Sequence, residues 1–145
     1  METLFKLLSD TQSSLFILFH KTWVYHWNVI GSDFHQLHTM FGDQYETMFE
    51  EIDRISEHMR YLGMRPLSSL NRMIEVSGIS EASSGISANE MVAQLMNDNK
   101  ALIEMLKEIS KEAESQNSMA TANLVQDLME THGKFEWMLR SYLAL

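Results

Sequence analysis

The chain has 145 residues, room for a single domain at about 150 residues each, with 45% hydrophobic and 21% charged residues, near the average for soluble globular proteins. No run approaches the about 18 consecutive apolar residues of a membrane span, and the opening METLFKLLSD lacks the basic region, apolar run and small-residue cleavage site of a secretory signal, so a cytoplasmic protein is expected. Cysteine is absent, which excludes disulfides, thiolate zinc sites and iron–sulfur clusters, and 11 Lys and Arg against 20 Asp and Glu leave a net charge of −9, which repels a nucleic-acid backbone.

Twelve Met, one Pro and six Gly favour helix, because Met and Leu are good helix formers and breakers are scarce. From Thr3 to Val29 nothing interrupts the recurrence of Leu4, Leu8, Leu15, Leu18, Phe19, Thr22 and His26, which predicts a long first helix. Gly31 suits a left-handed helix end, and Asp33 suits the N-cap of a second long helix from about Phe34 to Leu62. Gly63 and Pro66 stop that helix. LSSLNRMIEV (67–76) is a short amphipathic piece, and SGISEASSGI (77–86) is the one Ser/Gly-rich linker. Ser87-Ala-Asn-Glu90 reads as a capping box opening a third long helix to about Glu114. Ser115 to Ser118 breaks the chain before a fourth helix, Met119 to Leu143, in which Gly133 costs about 1 kcal/mol against Ala. Four helices of about 37 Å, two short connections and one middle connection long enough to cross end to end predict an all-α, ferritin-like four-helix bundle with a short helix in the long middle crossover.

His20, His26, His35, His38 and His58 all lie in the first 58 residues. His26 comes one turn before the first helix ends and His38 one turn after the second begins, so a hairpin brings both imidazoles to one end of the bundle, where they can share a metal. Asp53 and Glu57 stand four apart on one face of the second helix, about 6 Å from each other, and can grip a divalent cation. Within the run Glu46, Glu50, Glu51, Asp53 and Glu57 they would alone read as a solvated acidic face. His38 and Asp53 are separated by about 22 Å along a rigid helix, too far to meet at one ion. The two halves combine only if a second subunit packs antiparallel across a two-fold axis, which makes two identical sites. A conventional intra-bundle di-iron centre needs Glu-x-x-His on two helices. Three residues before the six His stand Ile17, Trp23, Ser32, His35, Ile55 and Met129, so that centre is disfavoured.

The stretch His26-Trp-Asn-Val-Ile-Gly31-Ser-Asp-Phe34-His-Gln-Leu37-His38, followed by Phe41, Tyr45, Asp53 and Glu57 and then by Leu62-Gly63, Pro66 and Trp137-Met138, resembles the signature of the Dps family, the DNA-binding proteins from starved cells or mini-ferritins. The resemblance implies a hollow homododecamer that oxidises Fe(II) to Fe(III) with hydrogen peroxide or oxygen, stores the ferric mineral inside and protects against oxidative damage. It implies inter-subunit sites with His26 and His38 from one subunit and Asp53 and Glu57 from its neighbour, and with Trp27 beside the iron to intercept radicals. The family's Asp four residues after the second His is here Gly42; Asp43 is turned by about 100° around the helix, and His35, Asp43 and Glu46 are the auxiliary candidates for a second iron. Entry pores are expected near the junction of the last two helices, with Glu112, Glu114, Asn123 and Asp127 as candidates. DNA-binding members use a mobile Lys-rich terminal extension, whereas the first ten residues here hold Lys6 against Glu2 and Asp10, so DNA binding is not expected. The competing readings are a non-catalytic bundle assembly with a degraded metal site, a DNA-protecting nucleoid protein, and a regulator that selects zinc or manganese.

Overall fold

The computed structural model describes residues 1–145. The chain forms five helices and no strand: α1 (Glu2–Asn28), α2 (Phe34–Tyr61), α3 (Leu70–Val76), α4 (Ala88–Ser115) and α5 (Met119–Tyr142). The helix ends fall within a residue or so of those predicted by periodicity, except that α3 starts at Leu70. Each long helix buries one stripe at three- and four-residue spacing: Leu4, Leu8, Leu15 and Leu18 on α1; Leu37, Phe41, Met48 and Ile55 on α2; Leu95, Leu102 and Leu106 on α4; Val125, Leu128 and Leu139 on α5.

The stripes meet around one axis because α1 packs on α2 and α4, and α5 packs on α4 and α2. Cross-helix pairs fix the directions. Lys21 meets Asp98 and Tyr25 meets Gln94, so α1 and α4 are antiparallel. Glu51 meets His132 and His58 meets Thr121, so α2 and α5 are antiparallel. It follows that α2 and α4 run parallel, and the chain between them must travel the bundle's length. It does so along α1, where the Gly78 N–H donates to Ser14 Oγ at 2.9 Å and the Ser83 N–H donates to Tyr25 Oη at 2.9 Å.

The caps follow the sequence with two exceptions, the first at the end of α1, where the chain leaves the helix at an extended Val29 and Gly31, at φ +122°, lies beyond the cap. At the end of α2, Gly63 has φ +82° and the Met64 N–H reaches Met59 O at 2.8 Å, a left-handed cap. Ser87 Oγ accepts from the Glu90 N–H at 3.1 Å while Glu90 Oε2 accepts from the Ser87 N–H at 2.6 Å, the reciprocal capping box. Asp33 stands at the N-cap position of α2 but makes no side-chain cap bond. Its carboxylate instead accepts from the Tyr142 hydroxyl at 2.9 Å, tying the end of α5 to the α1–α2 turn and holding the Tyr142 phenol above its ordinary range.

One belt of polar side chains crosses the apolar core. Lys21 Nζ on α1 lies 2.8 Å from Asp98 Oδ2 on α4. The next residue, Asn99, donates through Nδ2 to Leu95 O at 2.8 Å, which turns its Oδ1 toward His132 Nδ1 on α5, 2.7 Å away. His132 Nε2 is 2.8 Å from Glu51 Oε1 on α2. All four long helices are thus joined by buried polar contacts, each partner limiting the cost of burying the other.

Burial pushes the Asp98 carboxyl above its ordinary value of 3.8, and Lys21 offsets this only in part. The folded state therefore binds that proton more tightly than the unfolded chain, and the contribution of Asp98 to stability falls as pH rises from 3.8 through the folded-state value. Lys21→Met removes the offset. We expect it to lower stability at pH 7 by about 3–5 kcal/mol in urea unfolding, with the deficit shrinking as the pH is lowered, while Lys21→Met/Asp98→Leu matches or exceeds wild type.

Candidate metal centre

The α1–α2 hairpin places His26 and His38 against each other, as their spacing predicts. His26 Nδ1 lies 2.6 Å from His38 O, and His38 Nδ1 lies 2.8 Å from His26 O. A carbonyl accepts only, so each Nδ1 carries its proton and donates. That fixes the tautomer in both rings and leaves Nε2 of each with its lone pair available, the arrangement that orients and strengthens an imidazole ligand. Neighbouring rings hold the pair in place. Tyr45 meets His26 edge-on with centroids 5.2 Å apart, and Phe34 stacks on His38 at 5.0 Å. Both lie at helical spacing from His38, Phe34 one turn before and Tyr45 two turns after.

The two rings stack, with centroids 3.7 Å apart and planes within 16°. A lone pair on Nε2 lies in its own ring plane. One ion at about 2.0–2.1 Å from both nitrogens would have to sit in two nearly parallel planes at once. The imidazoles therefore offer two adjacent positions, one each, where the sequence alone allowed a shared ion.

Asp53 and Glu57 lie elsewhere. The helix from His38 to Asp53 is unbroken, so the separation of about 22 Å holds. Asp53 is exposed on a groove with Phe16, Phe19, Phe49, Ile52 and Ser56, and Phe49 is 65% exposed. Glu57 faces a separate groove with Arg54, His58, Tyr61 and Asp127. No group of three or more His, Asp or Glu converges within the chain. Asp43 and Glu46 line a further groove with Thr47 and Glu50 that contains neither imidazole, and His35 is exposed.

Trp27 is 53% exposed, and its ring lies 4.7 Å from that of Trp23, which in turn stacks on Tyr45 at 5.6 Å. His58 accepts or donates at 2.8 Å with Thr121 Oγ1; burial first, and then the Arg54 charge, hold its pKa below the ordinary value. Of the pore candidates, Asp127 pairs with Arg54, Asn123 lines the same groove, Glu112 accepts from Gln116 Nε2 at 2.7 Å, and Glu114 is exposed.

Comparison with known proteins agrees with this architecture. The ferritin-like domain family matches residues 5–145. The chain is 34% identical over 139 residues to an uncharacterised low temperature-induced protein of Nostoc sp., covering 94% of this chain and 78% of that one. It is 32% identical over 137 residues to the DNA protection during starvation protein of Brevibacillus brevis, covering 94% and 92%. The crystal structure of Dps from Staphylococcus aureus superposes with a TM-score of 0.96 at 26% identity, covering 100% of this chain and 97% of that one. Alike in sequence along nearly its whole length and in the geometry of its bundle, the chain belongs to the Dps family of ferritin-like proteins.

Proposed function

We propose that this protein oxidises Fe(II) with hydrogen peroxide, or more slowly with oxygen, at sites shared by two-fold-related subunits, and stores the ferric product inside a hollow dodecamer in the cytoplasm. The observation that carries this reading is the division of ligands along α2. Two imidazoles with free Nε2 atoms stand at one end, and two exposed carboxylates stand about 22 Å away at the other. An antiparallel second copy lays the carboxylates of each chain against the imidazoles of the other and closes two equivalent sites. The apolar rim of the Asp53 groove, with Phe16, Phe19 and Phe49, suits burial in such a contact.

The chemistry follows from ligand type. Imidazole and carboxylate together suit Fe(II), and the two anionic carboxylates favour the higher charge of Fe(III), which lowers the cost of oxidation. Two Fe(II) give up two electrons, and one hydrogen peroxide takes both with two protons to form two waters, so no hydroxyl radical is released. The ring of Trp27, close to Trp23 and through it to Tyr45 and His26, is placed to intercept any radical that escapes. A charge of −9 per subunit favours collecting cations over coating DNA.

Wild type is expected to convert Fe(II) to a soluble ferric species faster with peroxide than with oxygen, and the His26→Ala/Asp53→Ala/Glu57→Ala variant is expected to fall to the protein-free rate. A mixing experiment tests the shared site. Subunits carrying His26→Ala/His38→Ala, reassembled in equal amount with subunits carrying Asp53→Ala/Glu57→Ala, should regain about a quarter of wild-type activity, because half the random dimers are mixed and each mixed dimer has one intact site. No recovery on mixing would exclude ligands from two chains. The protein is also expected to give no gel shift with duplex DNA at moderate salt in the absence of divalent cations.

A further inference from the structure

We propose that Met105 is a peroxide-sensitive latch: oxidation of its thioether by hydrogen peroxide frees the strap of residues 77–86 that covers the buried Lys21–Asp98 pair. The step needs no metal and does not rest on the shared site described above.

The strap lies over the seam between α1 and α4, whose rungs keep one register. From Tyr25 to Lys21 is four residues, as from Gln94 to Asp98, and from Lys21 to Ser14 is seven, as from Asp98 to Met105. Two of these rungs hold the strap. The Ser83 N–H donates to Tyr25 Oη at 2.9 Å, and Gln94 closes the knot by accepting from that hydroxyl and donating to Ser83 Oγ at 3.0 Å. At the other rung the Gly78 N–H donates to Ser14 Oγ at 2.9 Å. Ser14 and Tyr25 are about 16 Å apart along α1, and the chain from Gly78 to Ser83 reaches about 17 Å when fully extended, so the strap runs with little slack. Residues 79–82 therefore pass over the middle rung, where Lys21 is 3% exposed.

Met105 is the seat of the Gly78 end. A Cβ built on Gly78 would overlap Met105 Cε and lie 3.8 Å from Sδ and 3.9 Å from Ser14 Oγ, so the thioether fills the place that a side chain would take. Met105 is half-buried, and its sulfur is open to a molecule as small as peroxide, whereas Met73, Met91 and Met96 are sealed in the core. In the reaction an S–O bond forms and the O–O bond breaks. The sulfide loses two electrons to become the sulfoxide, and peroxide leaves as water.

The product is polar, and its new oxygen calls for a hydrogen-bond donor. The two donors at hand are committed, the Gly78 N–H to Ser14 Oγ and the Ser14 hydroxyl to Asp10 O at 2.7 Å. A sulfoxide that takes the Gly78 N–H breaks the bond that ties the strap to α1. One that turns outward to water vacates the seat beneath Gly78. Either way that end of the strap comes free, and water reaches Lys21 and Asp98.

The full chain, washed free of metal and treated with hydrogen peroxide, tests this by mass spectrometry. Oxidation of Met105 should bring about tenfold faster amide exchange in residues 77–86, and Lys21 should become labelled by an amine-reactive ester. Met105→Leu, which is of similar volume, should keep the strap protected and Lys21 unlabelled under the same peroxide. Met105→Gln, polar without oxidation, should show the faster exchange with no peroxide added. Three outcomes would overturn the inference: Met105 left unoxidised while the exposed Met1 and Met119 are converted, Met105 sulfoxide with unchanged exchange of the strap, or equal loosening in Met105→Leu.

Discussion

Fifteen residues of uninterrupted helix separate His38, at the imidazole end of α2, from the exposed carboxylate of Asp53, and a helix cannot fold back on itself to close that gap. The rest of the architecture keeps α2 straight and in phase. Its inward stripe from Leu37 to Met59 packs into the core, Glu51 on that stripe meets His132 of α5, and Arg54 and His58 hold it to α5 near its far end. A helix pinned along its length presents Asp53 and Glu57 outward at a fixed height and angle. Whatever completes the imidazole pair must therefore arrive from outside the chain.

Much of this was legible in the sequence because it depends on local spacing. The helix periodicity, the capping box at Ser87 and the one Ser/Gly-rich linker are written in neighbouring residues, and α2 ends where Gly63 says it should. Placing His26 and His38 at one end needed only the length of a turn. Their stacking did not follow from spacing, since it depends on side-chain torsions and on which carbonyl faces which ring. Asp33 looked like a cap because the residue that claims its carboxylate, Tyr142, is 109 positions away.

The core belt was hidden for a related reason. Glu51 sits inside a run of acids that reads as a solvated face, and His132 reads as an isolated histidine. Only the stripe Leu37, Phe41, Gln44, Met48, Glu51 and Ile55 shows that position 51 points inward, and only the fold shows that α4 and α5 supply Asn99 and His132 to meet it. In ferritin-like di-iron bundles, inward-projecting Glu and His from facing helices hold metal. Here the interior meeting is made with hydrogen bonds, and the free imidazole nitrogens have moved to the end of the bundle.

The reciprocal hydrogen bonds of His26 and His38 close a loop of only twelve residues. Contacts of such short range cost little chain entropy and form early, whereas the pairing of α2 with α5 must wait for some 80 intervening residues, as the separation of 81 between Glu51 and His132 shows. The α1–α2 hairpin thus has the contact order of a folding nucleus. The pairing of the two imidazoles therefore depends on the first two helices alone, and neither of its hydrogen bonds draws on α4 or α5.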